Sequence, residues 1–267
     1  MERLDPDYIS RHPSLQSYFR AVLLDWIIEV CDLYNLNRET YYMTVDYIDR
    51  YLTLSSGHPR SELQLLGITS LFVASKIEEI DPPPLADLVY IADDSFSAKD
   101  IVEMEYKLLE IVGWSHTKWT ANKWLNLYLH MTGLQIGRCE FSLMTRLLDL
   151  SSLDVHCLSF SNRILGATCL RLAVQQSLPA GLLPLLPDIT SCSEWMAVYW
   201  EVIQNSSEDM YQGSKRVYFN QCKVFRNLEL NHKYTSYISL YEKGQELIKD
   251  ETVLPLFTFS AEAVYSQ

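Results

Sequence analysis

The sequence predicts an all-α fold in two tandem helical units of about five helices each, the second more divergent than the first. Three observations predict it. Apolar residues recur at intervals of three and four along most of the chain to Asn205, strand-type alternation is not sustained over any length, and the stretch Trp114 to Trp119 separates two helical halves. With 267 residues, 48% of them apolar and 12% aromatic, the chain is long enough for well-filled cores. The expected divisions are a lead-in at 1–14, an N-terminal unit at 15–116, a C-terminal unit at 117–250 and a disordered tail at 251–267. No residue-by-residue repeat relates the two halves.

The lead-in is polar and holds Pro6 and Pro13; Pro13 followed by Ser14 reads as a helix entry, with Ser14 as the capping residue. The first helix, Phe19 to Leu36, carries two apolar stripes: Phe19, Val22, Leu23, Trp26, Val30 and Leu33, and beside them Leu24, Ile27, Ile28 and Cys31. Only a narrow polar arc of Asp25, Glu29 and Asp32 is left. Such a helix is either enclosed on several sides or presents apolar surface to a partner. Arg20 falls within the apolar side, where a guanidinium must find a carboxylate or carbonyl.

Asn37 ends this helix or caps the next, whose stripe is Tyr41, Val45, Ile48 and Leu52. A short connection makes the two antiparallel neighbours, so Asp49, at the edge of the second stripe, is a geometrically suitable partner for Arg20. After the loop Ser55 to Pro59, a third helix over Arg60 to Glu79 is apolar all round, the pattern of a central helix. Its Gly67, Ser70 and Ala74 form a small-residue face that allows close approach by a neighbour. Pro82, Pro83 and Pro84 end it. A short helix at Leu85 to Ile91 follows, and Ser97 with Asp100 forms a capping box for a fifth helix ending near Gly113. The second half has helical stretches at Trp124 to Met131, Phe141 to Leu150, Ile164 to Gln176 and Trp195 to Gln204. Beyond Asn205 the pattern weakens, and the Val253 to Phe259 run either packs or is exposed.

A net charge of −12, from 34 acidic and 22 basic residues without a Lys/Arg run, argues against a nucleic-acid grip. Cys31, Cys139, Cys157, Cys169, Cys192 and Cys222 are widely spaced without a Cys-x-x-Cys pair, the usage of reduced core cysteines in an intracellular protein, and no signal peptide opens the sequence. No apolar run reaches membrane-spanning length; the stretch around Leu182 to Leu186 is short and broken by prolines. Phosphate-binding loops, dinucleotide fingerprints, zinc-protease motifs and nucleophile elbows are absent. His12, His58, His116, His130, His156 and His232 lack metal-ligand spacing, and the adjacent Glu78 and Glu79 point in different directions. Neither catalysis, a metal nor a cofactor is therefore expected. Among the tryptophans (Trp26, Trp114, Trp119, Trp124, Trp195 and Trp200) core positions are the default. Trp114, after Gly113 at a helix end, is the exception placed to meet a partner.

Three ordered segments carry a family resemblance: FRAVLLDWIIEVCDLYNLNRETYYMTVDYIDRYL, LQLLGITSLFVASKIEEIDPP and MEYKLLEIVGW. They resemble the cyclin box, the five-helix module that binds and activates a cyclin-dependent kinase. KWLNLYL at Lys123 to Leu129 and LLDLSSLDVHCLSF at Leu147 to Phe160 are similar to the G1/S cyclins of the E type. The resemblance covers about the first 175 residues closely and the remainder loosely. It implies two tandem cyclin-box-like units and a regulatory subunit, not an enzyme, found in the nucleus with a cytoplasmic pool and acting at the G1/S transition. It implies that Lys76 and Glu105 bind the kinase, with Ile77, Leu109 and Trp114 as the apolar contacts. Phe19, Val22, Leu23, Trp26, Glu29, Leu63 and Gln64 correspond to a docking groove for Arg-x-Leu substrates and inhibitors, and Arg20 with Asp49 to a structural ion pair.

The sequence departs from the family in three ways. Phe19 stands where Met is usual, most of the helix and the long N-terminal region that precede the box in relatives are missing, and no Thr-Pro-Pro phosphodegron lies near the C-terminus. Two other readings compete: a transcription-factor-type cyclin fold that clamps DNA and polymerase, which the charge disfavours, and a helical scaffold without kinase binding, which Lys76 and Glu105 disfavour.

Overall fold

The computed structural model describes residues 4–115, 119–134, 136–174, 188–206 and 236–249. The expectations for the 251–267 tail, Leu182 to Leu186, His116, His232, Cys222 and the 116/117 boundary lie outside the described residues.

Among the described residues a 3-10 turn at Tyr8–Arg11 precedes ten α-helices: α1 (Ser17–Leu33), α2 (Arg38–Leu54), α3 (Leu63–Glu78), α4 (Leu85–Ile91), α5 (Ala98–Ile111), α6 (Ala121–Thr132), α7 (Arg138–Leu153), α8 (Asn162–Val174), α9 (Ile189–Asn205) and α10 (Ile238–Lys249). No strand occurs among the described residues. Helix α3 packs against α1, α2, α4 and α5, as its all-round apolarity requires; α8 holds the corresponding place among α6, α7 and α9. A continuous apolar core runs through both groups.

Several local signals do what their chemistry predicts. Asn37 caps α2 by accepting from the Glu39 amide, and Ser97 and Asp100 form the reciprocal capping box of α5. On the small-residue face of α3, a Cβ on Gly67 would lie 2.7 Å from Leu23 Cδ1. The space left there is filled by a leucine side chain of α1, which locks the first and third helices together.

Other expectations are corrected. Ser14 caps nothing: α1 begins after Gln16, and the Ser14 hydroxyl donates to the His58 carbonyl instead. The polar lead-in is docked, with Tyr8 and His12 buried; His12 Nε2 donates to the Leu52 carbonyl at 2.8 Å and its Nδ1 accepts from the His58 amide at 3.0 Å. Within the polar arc of α1, Asp25 lies on an enclosed side. It is 9% exposed, and its carboxylate accepts from Ser236 Oγ and the Tyr237 amide at the entry to α10. Helix α10 itself falls where the periodicity weakens. Its buried residues, Leu240, Tyr241 and Gly244, are too few to dominate a window rich in Glu and Lys. Of the described cysteines, Cys31, Cys157, Cys169 and Cys192 are buried and Cys139 is exposed; all are free thiols.

Candidate functional site

Arg20 and Asp49 lie at the junction of the two helix groups. The guanidinium binds the carboxylate through two parallel bonds, Nε to Oδ1 and Nη2 to Oδ2, both 2.7 Å, and each side chain is 1% exposed. Arg20 Nη1 donates to the carbonyls of Ser152 and Leu153 at 2.8 and 3.0 Å, and the Tyr8 hydroxyl donates to Asp49 Oδ1 at 2.9 Å. Burial, the largest single influence, would make the Arg20 cation easier to deprotonate, but the Asp49 charge, Tyr8 and the hydrogen bonds to Asp49 together outweigh it and hold the pKa well above the ordinary value. Through the two carbonyls the same guanidinium also fastens α7 to α1 and α2.

A second buried junction went unread in the sequence. Arg38 of α2 pairs with Asp149 of α7, which also accepts from the Tyr42 hydroxyl at 2.8 Å. Asp154 collects Trp195 Nε1, the Tyr199 hydroxyl and Gln245 Nε2, tying α9 and α10 to the end of α7. Glu39, Thr120 and Asn122 form a third link, from α2 to the start of α6. The segment Leu147 to Phe160 thus supplies Asp149, Asp154 and the two carbonyls that Arg20 needs. Of the acidic pair at the end of α3, Glu79 accepts from the Asn37 amide and Thr40 hydroxyl, while Glu78 lies 3.7 Å from Lys123. Glu79 thus joins the end of α3 to the start of α2.

Two surface constellations remain. In the first, Lys76 in the last turn of α3 pairs with Glu105 of α5, and its ammonium lies 4.0 Å from the centre of the Phe72 ring. Lys76 is 39% exposed and Glu105 16%. Ile77 projects beside the pair and Trp114 is 58% exposed, whereas Leu109 is 7% exposed and forms a floor more than a projecting contact. The backbone joins these last two, since the Trp114 amide donates to the Leu109 carbonyl at 3.0 Å. Sequence reasoning passed over Ile80 and Tyr106, both strongly exposed. The signals were available: Ile80 follows the end of α3 before the prolines, and Tyr106 lies off the Ile101, Met104, Leu108 stripe.

The second constellation lies between α1 and the start of α3. Val22 is 42% exposed, Trp26 and Phe19 are half-buried, and Glu29 is exposed at the same face of α1. Leu23 and Leu63 are buried beneath, and Gln64 is half-buried at the first turn of α3. At one end the Arg60 guanidinium stacks on the Phe19 ring, 3.9 Å from its centre. The wide apolar arc predicted for α1 is thus partly core and partly surface.

Among the described residues no group of ligating side chains could hold a metal, and no helix is long and apolar enough to cross a membrane. In comparison with known proteins, residues 1–117 match the family model for the cyclin N-terminal domain. The chain is 34% identical over 226 residues to G1/S-specific cyclin-E of Hemicentrotus pulcherrimus, covering 79% of this chain and 53% of that protein. It is 34% identical over 259 residues to G1/S-specific cyclin-E1 of Rattus norvegicus, covering 90% and 60%, and 39% identical over 175 residues to that of Danio rerio, covering 62% and 43%. It spans about half the length of the curated relatives it matches. The fold is similar to that of a viral cyclin from herpesvirus saimiri, with a TM-score of 0.58 and 17% identity over 72% of this chain and 85% of that one. The chain carries a cyclin N-terminal domain over residues 1–117 and resembles cyclin E across most of its length.

Proposed function

We propose that this protein is a regulatory subunit that binds and activates a cyclin-dependent Ser/Thr kinase at the G1/S transition, in the nucleus with a cytoplasmic pool, and that it recruits substrates and inhibitors carrying Arg-x-Leu motifs. It contributes no catalytic residue. Its activity is differential binding: a surface that fits the active arrangement of the kinase better than the inactive one shifts the population toward activity.

The observation that carries the reading is the Lys76–Glu105 pair at the surface, flanked by exposed Ile77 and Trp114. A partly exposed ion pair contributes only about 0–1 kcal/mol to folding, so its members can exchange partners at little cost. Desolvated against a kinase, the same charges carry far more weight: truncating one member of such a network typically costs about 2–5 kcal/mol of binding. Lys76→Ala with Glu105→Ala should therefore leave the fold intact and lose kinase activation. The test is a pull-down with kinase activity measured on the recovered complex, and unchanged activation would sink the assignment.

Substrate recruitment rests on the α1–α3 face, where apolar Val22 and Trp26 border the Glu29 carboxylate. A leucine fits the apolar part, and an arginine two residues away meets the carboxylate in a charge-assisted contact. Val22→Ala with Trp26→Ala should lower the phosphorylation of motif-bearing substrates relative to motif-free peptides. Kinase binding should stay unchanged. A ratio of one already in the unmutated protein would mean that Phe19 and Arg60 close the groove.

A further inference from the structure

The end of α5 is built in a way that periodicity alone does not require. The helix stops in a pair of reversed bonds, from the Gly113 amide to the Glu110 carbonyl (3.2 Å) and from the Trp114 amide to the Leu109 carbonyl (3.0 Å). Gly113 has φ of +69°, which glycine takes readily, but Trp114 follows with φ of +55°. That region is sterically uphill for a bulky aromatic side chain. Core packing does not compensate for it, because the indole is 58% exposed. Something else must hold the backbone there.

Arg50 of α2 does so. It is 6% exposed, and its Nη2 donates to the Val112 carbonyl at 2.7 Å while Nη1 donates to the Ser115 carbonyl at 2.8 Å. These two carbonyls bracket Gly113 and Trp114. Asp46, one turn back on α2, lies 3.4 Å from the same Nη1 and orients the guanidinium from behind. The cation also sits at the carbonyl end of α5, where helix partial charge favours it. A planar fork is needed for this geometry, since a lysine ammonium is a single point that cannot span both carbonyls.

We infer that Arg50 is a positioning residue for the kinase-facing surface: from inside the first helix group it clamps the turn on either side of Trp114 and fixes the direction in which the indole is presented. The inference rests on the assignment of Trp114 to that surface, and the test keeps the two apart.

The full chain would be labelled with 5-fluorotryptophan, which places a probe on each of its six tryptophans, the Trp114 resonance being assigned by its loss in Trp114→Phe. Arg50→Lys should shift or broaden the Trp114 resonance while those of buried Trp195 and Trp200 stay in place. An unmoved Trp114 resonance overturns the clamp. Affinity for a purified cyclin-dependent kinase that the unmutated chain activates would then be measured for Arg50→Lys, Trp114→Ala and the double variant. Each single change should weaken binding about tenfold, and Arg50→Lys should cost less than about twofold more once Trp114 is already alanine. Equal losses from Arg50→Lys in both backgrounds would show a merely structural arginine and overturn the inference. If Trp114→Ala binds as tightly as the unmutated chain, the kinase-facing assignment falls, and the fluorine spectrum alone decides the clamp. Should Arg50→Lys fail to fold, Arg50→Gln is read by the same resonances and the same cycle.

Discussion

Replacing Arg20 by alanine removes a guanidinium whose loss can be costed from its contacts. Asp49, 1% exposed, would keep only the Tyr8 hydroxyl, and the carbonyls of Ser152 and Leu153 would lose their donor. Stranding one member of a buried pair costs about 3–5 kcal/mol. The two carbonyls raise the loss by about 1 kcal/mol each if no water fills the space. Against a typical total stability of about 5–15 kcal/mol, that removes between about a third and all of the margin. Because the same guanidinium bonds both helix groups, the variant should also unfold less cooperatively. Urea titrations followed by far-ultraviolet circular dichroism and tryptophan fluorescence should coincide for the unmutated protein and separate for Arg20→Ala. Arg20→Met with Asp49→Leu, which removes both charges, should recover part of the loss, since two apolar groups leave no buried ion behind. Unaltered midpoints in both Arg20→Ala and Asp49→Ala would refute the reasoning, because a buried bidentate pair cannot be dispensable from either side.

Two further outcomes follow from the same structure. Asp25→Ala should remove the carboxylate that receives Ser236 and the Tyr237 amide, at a cost of about 1–2 kcal/mol, with amide exchange in α10 accelerating ahead of that in α3; equal acceleration everywhere would mean that Asp25 supports the whole core and not the entry to α10. The His58 imidazole is 3% exposed with Nε2 lacking a hydrogen-bond partner, and burial lowers its pKa from the usual 6.5, with Lys107 and His12 adding to the effect and Glu62 opposing it. A depressed pKa means stability that is full above the unfolded value and is lost as pH falls below about 6.5, at no more than about 1.4 kcal/mol per pH unit; His58→Gln should flatten that part of the profile, and identical profiles would rule His58 out as the cause.

The sequence by itself determined the helices whose apolar residues repeat with the helical period. It also located the capping of α2 and α5 and the central place of α3, because periodicity and capping are local properties of side chains a few residues apart. It determined that Arg20 needed an anion, since a guanidinium inside an apolar stripe has few alternatives, and Asp49 was within reach on the next helix. The exposed Trp114 was legible for the same kind of reason, a large residue just beyond a helix end. The tertiary structure alone decided the rest. The sequence named no partner for Asp25, because Ser236 and Tyr237 come from the other end of the chain and a carboxylate in a sequence carries no mark of distant donors. The Ser152 and Leu153 carbonyls that complete the Arg20 site, and those of Val112 and Ser115 that receive Arg50, belong to the backbone. Every residue has such a group, so only the packing of one helix against another selects which carbonyl a buried cation meets.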